Sequence, residues 1–167
     1  YAAVNQVGAS LIRVEADEVT YNLHILLRFE LEKALIEGDL QVRDLPAAWN
    51  ERMQTYVGIR PDSDADGVLQ DIHWPVGLIG YFATYTLGNL YAAQLYRKAS
   101  IDLGELPAQI AEGNLGGLLG WLRDNIHSVG QRKTAAELVQ DVTGEPLNVD
   151  YLMQSLEGKF KPLYGLE

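Results

Sequence analysis

The segment PVGLIGYFATYTLGNLYAAQLY, residues 75–96, is the stretch that most constrains the fold, because it contains no charged residue over 22 positions. Its length is about that of a helix that crosses a bilayer. Polar residues within it, among them Thr84, Asn89 and Gln94, and several tyrosines would be costly in lipid. We therefore interpret it as the long, buried central helix of a soluble helical protein, apolar on nearly all sides because other helices surround it.

The sequence on either side of this segment indicates further helices with well-marked ends. Apolar residues at helical spacing and terminal glycines predict helices over 17–37, from Pro46 to Gly58, over 106–112, 115–127 and 134–142, and after Asn148. Thr134 followed by Glu137 is a capping box, which marks a helix start. Because no convincing alternating strand pattern is present, we predict a single all-α unit over residues 1–167.

Composition excludes several classes of function. The chain of 167 residues has 23 acidic and 13 basic residues, a formal net charge of −10, which argues against a nucleic-acid or anionic-membrane partner. It has no cysteine, which rules out a disulfide framework, a thiolate zinc site and a Cys nucleophile, and is compatible with a reducing cytosol. The length allows one or at most two domains with a real core.

No metal site is predicted within this chain. Residues 62–67 (DSDADG) match the opening of a calcium-binding EF-hand loop, but loop position twelve is His73 instead of the required Glu. The other two histidines, His24 in an apolar helical stretch and His127 at a helix C-terminus, are predicted to be structural. No two histidines share the spacing that a helical zinc-binding pair needs.

Two polar segments are candidates for chemistry. In residues 67–74 (GVLQDIHW), His73 lies among groups that can donate and accept hydrogen bonds, and a structural network is as compatible with the pattern as a catalytic one. In residues 12–17 (IRVEAD), Arg13 could form a local ion pair or could grip a carboxylate through its planar guanidinium. Spacing alone does not decide between these alternatives.

These two segments resemble signature motifs of the thermostable carboxypeptidase family typified by carboxypeptidase Taq. The matching patterns are IRxxAD at 12–17 and GxxQDxHW at 67–74, and the similarity extends over 10–32, 77–94 and 143–166. The resemblance covers essentially the whole chain and is to the C-terminal part of that family. It implies a largely helical, zinc-dependent metallocarboxypeptidase that releases single amino acids from peptide C-termini. Such an enzyme is expected to be a cytosolic hydrolase and usually a homodimer.

The family holds its metal with a His-Glu-x-x-His helix and a later Glu, all upstream of the Arg motif. Since none of these is present here, the resemblance implies that the chain is a C-terminal fragment, and the first methionine, Met53, agrees with this. Zinc or another divalent metal is then expected in the intact enzyme and not on this chain. The chain alone is expected to be inactive and to need the missing N-terminal part as its partner.

The resemblance also implies roles for the motif residues. In such sites the metal polarises the scissile carbonyl, and the growing oxyanion needs hydrogen-bond donors. His73 and Tyr81 are the expected donors, and a His followed by a Tyr before a helix is similar to angiotensin-converting-type peptidases. Tyr85, one helical turn after Tyr81, is a weaker candidate on the substrate-binding side.

The remaining assignments concern substrate binding. Arg13 is expected to bind the terminal carboxylate of the peptide substrate, and Gln70 and Asp71 are expected to line the same region and to orient His73. The alternative is a catalytically inert helical interaction or dimerisation module in which these polar residues are merely structural.

Overall fold

The computed structural model describes residues 1–166, and that range is helical without a β-strand, which confirms the predicted all-α class. Its α-helices are α1 Tyr21–Glu37, α2 Leu45–Tyr56, α3 Ala83–Leu103, α4 Leu106–Ala111, α5 Gly116–Asn125, α6 Ala135–Thr143 and α7 Asp150–Tyr164. Single 3₁₀ turns are formed by Ala2–Asn5, Arg13–Glu15, Val42–Asp44 and His127–Val129.

The chain divides into two compact units, Tyr1–Thr86 and Leu87–Glu167. Each has its own hydrophobic core. The predicted single unit over residues 1–167 stays a prediction.

The core of the first unit forms where α1 packs against α2. Its buried apolar side chains are Leu27, Leu31, Leu45, Trp49, Met53, Val57 and Val68. The predicted ends of both helices are confirmed, since Gly38 and Gly58 take the left-handed backbone conformation that stops a helix. Pro46 lies in the first turn of α2, where its missing N–H costs nothing.

Helix α1 begins four residues later than predicted, at Tyr21 instead of Asp17. The reason is local, because the Asp17 carboxylate accepts hydrogen bonds from the backbone N–H groups of Val19 and Thr20 at 2.8 and 3.0 Å. These bonds satisfy amides that precede the helix and hold residues 17–20 in a turn. Hydrogen bonds from Gly8 and Thr20 also keep the pKa of Asp17 low, although burial opposes this.

The uncharged segment 75–96 differs from its prediction in two ways. Its helix, α3, begins at Ala83, because Gly77 and Gly80 take positive φ and the residues before Ala83 form turns. Within residues 1–166, only Gln94 and Ala99 of α3 are buried, so the predicted burial on nearly all sides is not found there. The other described helices of this chain therefore cover only part of the surface of α3. None of the described helices combines the length and apolar character of a membrane span.

The second unit has a smaller core around Ala99, Leu106 and Trp121. The side chain of Gln94 holds the loop before α7, donating to the Pro146 carbonyl and accepting from the Asn148 amide. The predicted capping box of α6 is confirmed, with Thr134 and Glu137 each bonded to the backbone N–H of the other. A helix follows Asn148 as predicted; Val149 is its N-cap residue, and the Asn148 side chain accepts from the Asp150 amide.

Candidate functional site

The centre of the candidate site is one carboxylate held between two arginines. Asp71 Oδ1 accepts hydrogen bonds from Arg13 Nε and Nη2 at 3.0 and 2.7 Å, and Asp71 Oδ2 accepts one from Arg28 Nε at 2.6 Å. Arg13 and Arg28 are buried, with 7% and 0% of their surface exposed. The sequence left open whether Arg13 forms a local ion pair. The structure pairs it with the distant Asp71 and not with the nearby Glu15 or Asp17.

Burial and pairing act against each other on the charges of this triad. Burial alone would raise the pKa of Asp71, but hydrogen bonds and charge attraction from Arg13 and Arg28 hold it below its ordinary value. The pKa of Arg13 is raised because Asp71 and Tyr21 outweigh its burial. Burial lowers the pKa of Arg28 to about 10, with Asp71 opposing. All three groups are therefore charged at neutral pH, and the triad carries a net charge of +1.

Gln70 connects the same two arginines by a second route. Its Oε1 accepts from the backbone N–H of Arg13 at 2.9 Å and from Arg28 Nη2 at 2.7 Å. Its Nε2 donates to the carbonyls of Leu11 and Asp66 at 3.0 and 2.9 Å. The structure thus gives Gln70 contacts with the arginines, whereas the sequence predicted that it would orient His73.

His73 is buried against aromatic rings of the following segment. Its Nε2 is 3.0 Å from the Tyr85 hydroxyl, and its ring centroid is 4.4 Å from that of Phe82. Its Nδ1 is buried and has no hydrogen-bond partner among residues 1–166, and Asp71 Oδ1 is 3.7 Å away. The Asp71 oxygens are hydrogen-bonded to the arginines instead.

Tyr81 presents a free phenol beside this imidazole. Its ring centroid is 5.8 Å from His73 and 5.4 Å from Tyr85, and 42% of its surface is exposed. In the described part of the chain its hydroxyl makes no hydrogen bond, so the group is available as a donor. The backbone carbonyl of Tyr81 accepts from Thr84 at the start of α3, which fixes the turn.

The six residues predicted from the sequence lie in one connected cluster of the first unit. Arg13, Gln70 and Asp71 are joined by hydrogen bonds, and the Arg13 guanidinium carbon is 5.0 Å from the Tyr85 ring centroid. Tyr85 in turn contacts His73 and Tyr81. The guanidinium, the imidazole and the phenol therefore lie in one region of the first unit.

Sequence reasoning missed two buried charged residues of α1, Arg28 and Glu32. The Arg28 guanidinium lies 4.5 Å from the Trp49 ring centroid, and Glu32 accepts from the Trp74 indole and the Gly80 amide. A signal was present, because His24, Arg28 and Glu32 follow one another at intervals of four and share one helix face. All three are buried, so this face of α1 is polar but directed into the protein.

Residues 1–166 contain no group of three or more His, Asp or Glu side chains that could hold a metal ion. The loop 62–67, whose sequence matches the opening of an EF-hand, contains no such group either. Ser63 and Asp66 are hydrogen-bonded to each other there.

Known proteins are similar to this chain over nearly its whole length. The sequence profile of the carboxypeptidase Taq (M32) metallopeptidases matches residues 1–160. Thermostable carboxypeptidase 1 of Thermus thermophilus is 53% identical over 163 residues, which are 98% of this chain and 32% of that protein. Carboxypeptidase 1 of Bacillus subtilis is 47% identical over 164 residues, 98% of this chain and 33% of that protein.

Solved structures show the same similarity in three dimensions. The crystal structure of an M32 carboxypeptidase from Deinococcus radiodurans superposes with a TM-score of 0.96 at 45% identity, over 98% of this chain and 33% of that one. A Pyrococcus furiosus carboxypeptidase superposes with a TM-score of 0.91 at 41% identity, over 94% and 32% of the two chains. The chain thus spans about a third of the length of the relatives it matches.

His24 differs from the satisfied structural histidine that the sequence predicted. It is 0% exposed, and neither ring nitrogen makes a hydrogen bond of regular geometry among the described residues, although the Ser10 backbone is close enough to oppose the lowering of its pKa. Burial, together with the positive charges of Arg28 and Arg13, lowers its pKa to about 4. The imidazole is therefore neutral in the folded chain at neutral pH.

We expect this histidine to make stability depend on pH. Between its ordinary pKa of 6.5 and its folded value of about 4, only the unfolded chain protonates His24, so unfolding takes up a proton. The free energy of unfolding should therefore fall as the pH drops through this window, by about 3 kcal/mol in all. The contribution of Asp71 is lost at still lower pH, because its depressed pKa lies below the ordinary 3.8.

Urea unfolding at a series of pH values between 7 and 4 checks this prediction. His24→Gln should flatten the pH dependence in the window, and His127→Gln, at an exposed position, should retain it. An unchanged slope in the His24 variant would show that another group causes the effect.

Proposed function

Because the chain belongs to the carboxypeptidase Taq (M32) metallopeptidase family, we propose that it is the substrate-binding and oxyanion-stabilising part of a metallocarboxypeptidase. The intact enzyme would release single amino acids from the C-termini of peptides. The observation that carries this proposal is the buried Arg13–Asp71–Arg28 triad, whose surplus positive charge lies next to His73 and an exposed phenol.

The triad supports carboxylate binding for an electrostatic reason. Two guanidinium groups share one carboxylate, so one positive charge is left uncompensated within this group. A guanidinium has five N–H donors, and the bonds to Asp71 and Tyr21 use three of those of Arg13 within the described residues. The two remaining donors suit a second carboxylate, which we assign to the free C-terminus of the substrate.

Tyr81, with His73 beside it, would stabilise the oxyanion that forms on the scissile carbonyl. Because Nδ1 of His73 is buried, the imidazole would donate through Nε2, in exchange for its contact with the Tyr85 hydroxyl. The exposed Tyr81 hydroxyl has the freedom to donate to a growing negative charge, and the adjacent aromatic rings exclude water from one side. The 3.0 Å contact between His73 Nε2 and the Tyr85 hydroxyl fixes the orientation of the imidazole. Tyr85 therefore supports His73 in this proposal, in addition to flanking Arg13.

The metal belongs to the rest of the enzyme in this proposal. The described residues contain no ligand cluster, so they do not fit a metal site, and no step assigned to this chain passes through the ion. We propose zinc as the metal, held by the upstream helix motif of the family.

The partner of this chain is then the remaining two thirds of the enzyme. Several apolar side chains of the first unit are exposed, among them Leu26, Phe29 and Ile36 on α1 and Ile79 nearby, with exposures between 40% and 70%. Exposed apolar surface of this kind is typical of surfaces that another segment covers. A homodimeric, cytosolic enzyme acting on peptides completes the proposal.

Replacing Tyr81 with Phe in the intact enzyme tests the oxyanion assignment. Loss of one donor in a dry site should lower kcat by ~10²–10³, with KM nearly unchanged, because the hydrogen bond forms in the transition state. Steady-state kinetics on a blocked dipeptide measure both constants. Tyr96→Phe, an exposed tyrosine of the second unit, should keep the wild-type kcat. A normal kcat for Tyr81→Phe would overturn the assignment.

The Arg13→Met substitution tests carboxylate recognition. The preference for peptides with a free C-terminus over their C-terminal amides should shrink by about 10- to 100-fold, the value of one charged hydrogen bond. Ratios of kcat/KM for the two substrates measure it. Arg52→Met, which removes a guanidinium paired with Glu30 at the surface, is the matched control and should keep the preference. The role proposed for Arg13 is excluded if its variant discriminates as well as the wild type.

Mixing experiments separate the enzymatic proposal from the alternative of an inert interaction module. The chain alone should release no amino acid from a blocked dipeptide and should bind no stoichiometric zinc. Added to the upstream fragment of the same enzyme, it should restore release, because the two halves of the site are then complete. If a complex forms and amino-acid release is still absent, the chain is an interaction module.

A further inference from the structure

We propose that Glu32 is a positioning residue that holds Tyr81 in place for catalysis, an inference that rests on the role proposed for Tyr81. Glu32 lies on α1, far from Tyr81 in sequence, and among residues 1–166 its carboxylate is hydrogen-bonded to Trp74 and Gly80 and not to the phenol. It acts on the backbone that leads into Tyr81.

The Glu32 carboxylate joins both ends of one short segment. Its Oε2 accepts from the Trp74 indole Nε1 at 2.7 Å, and its Oε1 accepts from the Gly80 backbone N–H at 2.6 Å. The side chain is buried, with 6% of the residue exposed. Trp74 follows His73 directly and Gly80 precedes Tyr81 directly, so one anion links the neighbours of both proposed oxyanion donors.

The segment between these anchors is a compact loop. The Leu78 amide donates to the His73 carbonyl at 2.8 Å, and the Gly77 amide donates to the Trp74 carbonyl at 3.0 Å. Gly77 and Gly80 both have φ of 79°, a conformation that glycine adopts without strain. These bonds close the first part of the loop, but the last residues before Tyr81 depend on the bond from Gly80 to Glu32.

A carboxylate is required here because both partners are donors. A glutamine would still accept from one of them, but its NH₂ group would face the other N–H, and that hydrogen bond would be lost. The Gly80 amide would then be free to move, and Tyr81 with it. Misplacement of a reacting group by about 1 Å can cost as much as 10²-fold in rate, which sets the scale of the expected effect.

Helix α1 carries residues that bond two parts of the candidate site. Arg28 and Glu32 are one turn apart, and Arg28 bonds Asp71 while Glu32 bonds Gly80. The same rigid helix thus sets the position of the arginine triad and of the turn that leads into Tyr81. Rigid elements of this kind hold catalytic groups more accurately than loops do.

A double-mutant cycle in the intact metal-loaded enzyme tests the proposal. Glu32→Gln should lower kcat about tenfold and change KM less than about threefold. In the Tyr81→Phe background, Glu32→Gln should cause no further loss of kcat, because the hydroxyl that it positions is already gone. Losses that multiply in full would mean that Glu32 has a purely structural role, and the proposal would be overturned.

Control variants keep the outcome interpretable. Glu30→Gln, two residues earlier on α1 and bonded to Arg52 and Tyr56, should leave kcat unchanged. If Glu32→Gln fails to fold, as judged by thermal unfolding, Trp74→Phe replaces it in the cycle, since it frees one side of the carboxylate. Trp74→Phe should lower kcat a few-fold in the wild-type background and should not lower it further in the Tyr81→Phe background. An equal loss in both backgrounds would overturn the proposal.

The two proposals fail in different ways. If Tyr81→Phe has normal kcat, the oxyanion role of Tyr81 is wrong, whatever Glu32 does. If Tyr81→Phe lowers kcat by ~10²–10³ and Glu32→Gln has no effect, the role of Tyr81 stands and the positioning role of Glu32 is wrong.

Discussion

The Asp71 carboxylate lies between the guanidinium groups of Arg13 and Arg28, and the organisation of the first unit depends on this buried ionic contact. Burying charges is costly unless each is paired, and removing one partner from such a group typically costs about 3–5 kcal/mol. Without Asp71, two like charges would be left together in the interior. The contact therefore fixes the loop that carries Arg13, the helix that carries Arg28 and the segment that contains Gln70 and His73 in one mutual arrangement.

Around this contact, α1 contributes a buried polar face in addition to the apolar face that packs against α2. His24, Arg28 and Glu32 occupy successive turns; Arg28 bonds Asp71, Glu32 bonds the Gly80 amide, and the His24 backbone carbonyl accepts from Arg28. Aromatic rings complete the environment, since the Arg28 guanidinium lies between Trp49 and Phe82 at 4.5 and 5.7 Å from their centroids. Such stacking lets a guanidinium keep its charge in a place with little water. The outcome is a buried group of charges with a net charge of +1 near the exposed phenol of Tyr81.

Local chemistry in the sequence predicted much of the fold correctly. Gly38 and Gly144 end helices because they alone tolerate the left-handed conformation there, and Thr134 with Glu137 starts one through a capping box. Prediction was least accurate for the uncharged segment 75–96. Its lack of charge indicated burial, but the glycines at its start break the helix, and within residues 1–166 most of the surface of α3 is not covered by neighbours.

The sequence by itself determined the helical class and most helix ends, because these depend on neighbouring residues. Its resemblance to a known family suggested the candidate site residues, which are Arg13, Gln70, Asp71, His73, Tyr81 and Tyr85. Only the tertiary structure decided how those residues are paired. Asp71 binds Arg13 and Arg28, which are 58 and 43 positions away in the chain. Glu32 binds a backbone amide 48 positions away. The partner of a buried charge is chosen by proximity in space, and helical periodicity carries no information about which distant segment comes close.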